Sequence, residues 1–308
     1  MLTKRLIAMA LALGLSSSAL AQTFDHGYTT WDGLVKQHVR WLPDQVQSRV
    51  DYAGFAADRG RLKTALDAMS AVPVAEFERW SRAQQLAFLI NAYNAFTVEL
   101  ILTGGPTLTS IKDLGSFIRS PWKTPFFTLL GDTRHLDWIE HEQLRPRYAE
   151  PRLHTAINCA SIGCPALVPE AFVASRLDAQ LDDSLRRFLS DRTRNRVAGG
   201  RLEVSSIFKW YRQDFERGHG GFRRLEDVFA KYADQLTGDV RERKAVRAGA
   251  LPITFLDYDW SLNASAASRR RPAACRAAAR SGARTRRRAR PLLDATPETP
   301  RGTPTARA

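Results

Sequence analysis

No Gly-rich phosphate loop and no G-x-S-x-G elbow occurs in the sequence, which argues against nucleotide enzymes and serine hydrolases. No H-E-x-x-H is present either, so the nearby His135, Glu140, His141 and His154 lack a recognised metal-site spacing. Ordinary polar roles are expected of them, with no metal and no cofactor. There are no internal repeats. Past the N-terminus no stretch is free of polar residues for the ~20 positions that a membrane-spanning helix requires. A strong charge excess is also missing from the middle of the chain. The formal net charge is +14, but residues 264–308 hold 12 Arg against Asp294 and Glu298, and Lys4 and Arg5 supply two more positive charges. Residues 22–263 are left at +2, too near neutral to suggest nucleic-acid binding.

What is present begins with an export pattern. Lys4 and Arg5 precede an apolar run from Leu6 to Leu15, and small residues follow, ending in Ala19-Leu20-Ala21. This reads as a signal peptide over residues 1–21 with cleavage before Gln22, and hence a periplasmic or secreted protein. The run is too short to serve comfortably as an anchor. Residues 264–308, rich in Arg, Ala, Pro and Thr, have too little apolar surface to offset their ordering entropy and read as a disordered tail.

Between these ends the pattern is that of one helix-rich α+β domain with short, scattered strands. Residues 29–50 suggest a helix interrupted at Pro43, with Trp31, Leu34, Val35, His38 and Trp41 near helical spacing. Residues 54–71 suggest a second. The clearest helix is 82–102, opened by a Ser81/Gln84 capping box and stopped by Gly104-Gly105-Pro106. It is apolar nearly all round, as a buried core helix would be, with Gln84, Asn91 and Asn94 on one stripe. These amides either line a polar pocket or tie down a loop. A hairpin is expected around Gly131-Asp132, and an Asp137/Glu140 capping box should open a short helix running to about Leu144. Leu153–Asn158 reads as a core strand. Residues 177–189 read as an amphipathic helix, 202–204 as a strand, 222–235 as helical, and 252–258 as a last strand.

The densest concentration of chemistry is His154-Thr-Ala-Ile-Asn-Cys159-Ala-Ser-Ile-Gly-Cys164-Pro165. A thiolate is a strong nucleophile, and an adjacent imidazole lowers its pKa and shuttles protons. On one extended strand His154 and Cys159 would face opposite sides; a turn after Asn158, which the small residues Ala160, Ser161 and Gly163 allow, would bring them together. A third group must orient the imidazole, and Glu140, Asp137 and Asn91 are the candidates. The rival reading is a Cys159–Cys164 disulfide, favoured by an oxidising compartment. A redox-active pair is a further alternative, although the spacing differs from Cys-x-x-Cys. The tryptophans, with Trp210 among them, are either core material or pocket walls.

Four blocks in order carry a resemblance: Leu89-Ile-Asn91-Ala-Tyr93-Asn94-Ala95; Leu136-Asp-Trp-Ile-Glu140-His141 with Leu144-Arg145; His154 through Pro165; and Ile207-Phe-Lys-Trp210-Tyr211 with Asp214-Phe215. The chain from about Trp31 to Asn263 resembles domain-of-unknown-function family 547. Its bacterial members are often exported, and the redox label some plant members carry belongs to a glutaredoxin-type module that this chain lacks. The matching positions are Asn91, Tyr93, Asn94, Glu140, His141, Arg145, His154, Cys159 and Cys164. The expectation is a thiol-dependent envelope enzyme for acyl transfer or amide hydrolysis. In it Cys159, His154, Asn91 and Glu140 would act in catalysis. Asn94, Tyr93, His141, Arg145 and Trp210 would bind a small molecule or cell-envelope component. The alternative is a non-catalytic periplasmic binding or scaffold domain braced by a Cys159–Cys164 disulfide.

Overall fold

The structure, a computed structural model, describes residues 23–116 and 119–266. The expected leader and the tail from residue 267 onward lie outside the described residues. The domain is helix-rich α+β, and its strands form three small separate sheets.

Trp31, Leu34, Val35 and His38 do form one buried face, on α1 (Thr29–His38). The helix stops there and does not continue to Pro43. Val39 turns extended, and β1 (Val39–Trp41) pairs antiparallel with β2 (Ser48–Val50). Asp44 turns the chain between them, its carboxylate accepting from the N–H groups of Val46 and Gln47 at 3.1 and 3.3 Å. The second expected helix is two, α2 (Tyr52–Ala57) and α3 (Arg59–Ser70), which pack with α1 on the central helix. A single turn, α4 (Val74–Phe77), leads into it.

That central helix, α5 (Arg82–Thr103), starts at the Ser81/Gln84 capping box and ends at Gly104, as its sequence requires. From Gln85 to Ile101 it is buried except at Glu99. By length and composition alone it could cross a membrane, but here its apolar residues meet protein on all sides. Next comes a hairpin, β3 (Phe127–Leu129) with β4 (Asp132–Arg134). Its turn residues are Leu130 and Gly131, one position earlier than expected, both at positive φ. Two-residue hairpin turns of this kind demand that conformation, and Gly131 adopts it without strain.

Two sequence expectations fail next, for local reasons. Asp137 does not cap a helix. It lies in helical conformation itself, and His135 takes the capping role by accepting from the Trp138 N–H at 3.0 Å. The segment Trp138–Leu144 is then a π-helix running into the short α6 (Arg145–Arg147), which turns Glu140 inward. Such widened turns recur at functional sites. Leu153–Asn158 is not a strand. Pro151 and a Glu150 side chain accepting from Arg152 N–H wind Pro151–Thr155 into a 3-10 turn. The polar backbone groups that follow are met by Asn94 where a strand would use a partner.

The stripe Leu177, Leu181, Leu185, Phe188 on α7 (Leu177–Ser190) joins two cores. Its first half packs with α1–α5, and its second half with the C-terminal third. There β5 (Arg196–Ala198), β6 (Arg201–Ser205) and β7 (Ile253–Leu256) form a sheet, with β5–β6 antiparallel and β6–β7 parallel. Between β6 and β7 run α8 (Ile207–Trp210), α9 (Arg212–Glu216), α10 (Leu225–Lys231), α11 (Ala233–Leu236) and α12 (Val240–Arg247). The chain then returns to the first core. Ser161 bridges Leu262, Val50 bridges the buried Ala264, and ordered pairing continues to Ser265, whose N–H donates to Val50.

Candidate functional site

A cavity of about 260 Å³ opens at the seam between the two cores. Its floor comes from α5, the π-helix and the 3-10 turn; its walls come from the Cys159 loop, α8 and the segment after β7.

At the floor, His154 is buried and stacked on Tyr211, ring centroids 3.8 Å apart at 18°. Its Nε2 lies 2.8 Å from Asp214 Oδ2, and Arg145 Nε donates to the same oxygen at 2.5 Å. Burial alone would raise the Asp214 carboxyl. The hydrogen bonds from His154 and Arg145 outweigh it and hold Asp214 well below the ordinary carboxylate range. Burial pushes His154 below its ordinary value, against the upward pull of Asp214. The imidazole is therefore neutral at pH 7, with Nε2–H donating to Asp214 and Nδ1 left as an acceptor. That Nδ1 faces Glu140 Oε1 at 3.8 Å, and neither atom has a hydrogen-bond partner. Tyr93 and Tyr211 flank Glu140. Burial first, and Glu140 next, push both phenols well above their ordinary value, so both stay protonated.

One wall is the Cys159 loop. Cys159 and Cys164 form a disulfide, with Cα atoms 6.2 Å apart. A turn after Asn158 exists, as the small residues there allow. Asn158 Oδ1 accepts from Ala160 N–H at 2.9 Å, Asn158 Nδ2 closes the loop on Pro165 O at 2.7 Å, and Ala160 adopts φ 62°. The Tyr258 hydroxyl sits 3.0 Å from both sulfurs, and Ser161 Oγ 3.1 Å from that of Cys159. Gly163 makes room for this ring, since a Cβ there would lie 2.9 Å from three Tyr258 ring atoms. Gly163→Ala should therefore displace Tyr258 and cost about 1–3 kcal/mol in denaturant unfolding. An unchanged midpoint would mean that the ring is not held against the loop.

The remaining wall is aromatic. Trp210 stacks on Trp260 at 5.9 Å and meets Tyr258 at 4.9 Å, while Trp122 meets Trp260 edge-on at 5.8 Å. Trp210 is 47% exposed at the mouth. Asp137 completes the rim. Burial raises its carboxyl above the ordinary value, with His141 opposing and Glu140 adding to the rise.

The fold thus brings together Cys159, Cys164, His154, Glu140, Tyr93, His141 and Trp210, all of which line the cavity. It does not unite Cys159 and His154 as a hydrogen-bonded dyad: the sulfur is in a disulfide, and the ring nitrogens face two carboxylates. Asn91 is outside the cavity. Its amide is spent on Phe172, donating to the carbonyl at 2.7 Å and accepting from the N–H at 3.0 Å. Asn94 likewise donates to Ala156 O at 3.0 Å and accepts from Asn158 N–H at 2.8 Å. Both asparagines are structural ties, as buried amides must be once backbone groups claim them. Arg145 acts beneath the floor through Asp214, and His141 Nδ1 lies 2.8 Å from its guanidinium. Asp214, Tyr211, Tyr258, Trp122 and Trp260 are the residues that site assignment from sequence missed. Tyr211 and Asp214 left a signal in the block beginning at Ile207, and Trp122 and Trp260 left one as tryptophans that are either core or pocket wall; Tyr258 left none.

An aromatic cavity floored by a buried, carboxylate-bound histidine defines a domain with a small-molecule-sized site. Residues 77–189 match the family described as "Protein of unknown function, DUF547", and the chain is a DUF547 domain-containing protein. The matched stretch holds α5, Glu140, His154 and the disulfide, whereas Tyr211, Asp214 and Tyr258 lie beyond it. No curated protein and no solved structure matches the chain.

Proposed function

We propose that the chain is an exported, non-catalytic binding domain that holds a small molecule or cell-envelope component in this cavity. The Cys159–Cys164 bond is the structural brace of its wall. The observation that carries the reading is the stacked wall of Trp210, Tyr258 and Trp260 beside the disulfide, with Trp210 kept exposed at the mouth. Exposed apolar surface of this kind at a concave site marks a place where something docks. The leader pattern of Lys4–Ala21 supports export, and an exported domain meets the oxidising conditions in which such a bond persists.

The test replaces both cysteines with serine. The loop enclosed is about six residues, so its loss should remove about 2 kcal/mol of stability, or roughly 4–8 °C in Tm. Intact protein should show a mass shift on reduction. Normal stability in the double variant would count against the brace.

A second reading rests on one observation: Cys159 is the less buried of the pair and lines the same cavity as His154. A reductant of the dithiol class would free its thiol for acyl transfer or amide hydrolysis with His154 as base. In mild reductant an alkylating probe would then label Cys159. A Cys159 that stays oxidised and unreactive under those conditions ends this reading.

A further inference from the structure

The polar lining of the cavity combines two carboxyl groups with neutral donors, the phenol O–H and indole N–H groups. Asp137 and Glu140 line it, and among its described lining residues there is no Lys or Arg. Glu140 Oε1 and His154 Nδ1 are buried acceptors 3.8 Å apart with no donor between them. Asp137 has two basic neighbours, Lys123 and His141, each at 3.9 Å, and the Lys123 side chain is 70% exposed to solvent. Trp210, Trp260, Tyr211 and Tyr258 line the same cavity. Trp260 already receives one ammonium group, the Lys112 Nζ, 3.9 Å from its ring centroid.

Aromatic faces attract cations through their quadrupole, and desolvated carboxylates attract them by charge. An N–H-bearing cation would also supply the donor that the two orphaned acceptors lack. A neutral sugar could use the phenol and indole donors but would bring no charge to the two carboxyl groups, and an anion would meet both acids. We infer that the cavity takes an organic ammonium ligand, a protonated primary or secondary amine whose apolar part lies against the tryptophan wall and whose N–H groups point to Asp137 and Glu140. This inference rests on the reading of the cavity as a ligand site and deepens it by naming the ligand's chemical class.

The experiment uses three probes of nearly one shape: benzylammonium, benzyl alcohol and benzoate. Each is titrated into the purified protein at neutral pH and low salt, with tryptophan fluorescence and calorimetry as readouts. Benzylammonium should bind about tenfold or more tighter than benzyl alcohol, with benzoate weakest. Asp137→Asn should weaken benzylammonium several-fold and leave benzyl alcohol unchanged, which a merely structural role for Asp137 would not do. Benzyl alcohol or benzoate binding as tightly as the cation overturns the inference while leaving the cavity a ligand site. If none of the three binds at millimolar concentration, the binding reading itself fails.

Discussion

Replacing Asp214 with alanine is expected to cost about 3–5 kcal/mol of folding free energy, the usual penalty for removing one partner of a buried ion pair. In a folded region of this size that is roughly a 10 °C fall in Tm. The carboxylate is shared by His154 at 2.8 Å and Arg145 at 2.5 Å, and its side chain is only 8% exposed. Without it the Arg145 guanidinium is left half-buried and unpaired, and His154 loses the acceptor that sets its tautomer. Asp214→Asn keeps an acceptor oxygen for His154 and should cost less. Equal stability of the alanine variant in thermal unfolding would mean that the triad is not formed. The same groups set the pH dependence. The folded-state pKa of Asp214 is depressed, so its contribution is complete above the ordinary carboxylate range and is lost as pH falls below about 4. The folded-state pKa of His154 is also depressed, so the unfolded chain binds the proton first and stability declines as pH falls below about 6.5. Both act in one direction, so unfolding midpoints should drop on acidification from pH 7, and the part carried by Asp214 should vanish in the alanine variant.

Asn91→Ala should destabilise the domain by about 3 kcal/mol without enlarging or emptying the cavity. The amide is fully buried and meets both the N–H and the carbonyl of Phe172. Truncation orphans two backbone groups in the core, each at about 1–3 kcal/mol. Asn91→Asp keeps the acceptor but loses the donor and buries a charge, so it should be at least as harmful. Binding of a probe in the cavity, measured below the unfolding transition, should be unchanged. A variant with normal stability and altered binding would reverse the assignment and return Asn91 to the site.

The two asparagines show how far local reasoning reaches. The stripe on α5 is real, and the α5 caps and burial follow from residues within a few positions of each other. Whether a buried amide serves a ligand or a loop is not a local property. It depends on Phe172 and Asn158, which are 81 and 64 residues away. Asp137 fails for a local reason instead. Its spacing to Glu140 matches a capping box, yet Asp137 is itself helical, His135 accepts from the Trp138 N–H, and a π-helix replaces the regular turn. The segment 153–158 is apolar enough for a strand, but the Pro151 and Glu150 signals preceding it wind a 3-10 turn. The concentration of chemistry between His154 and Cys164 was visible as composition, and a turn after Asn158 was allowed by the small residues Ala160, Ser161 and Gly163. The assignment of partners was not.

Short-range patterns therefore settled much of the domain: the helix-rich α+β class, the buried central helix, the hairpin, and the α7 stripe that joins the two cores. Each follows from side-chain periodicity and turn chemistry, which act over fewer than ten residues. The site was settled only by the chain folding back on itself. His154 finds Asp214 60 residues on, and Cys159 and Cys164 find Tyr258 at separations of 99 and 94. Such pairings depend on how two cores close against each other and on which buried groups must then be satisfied, and neither condition is written into any one segment.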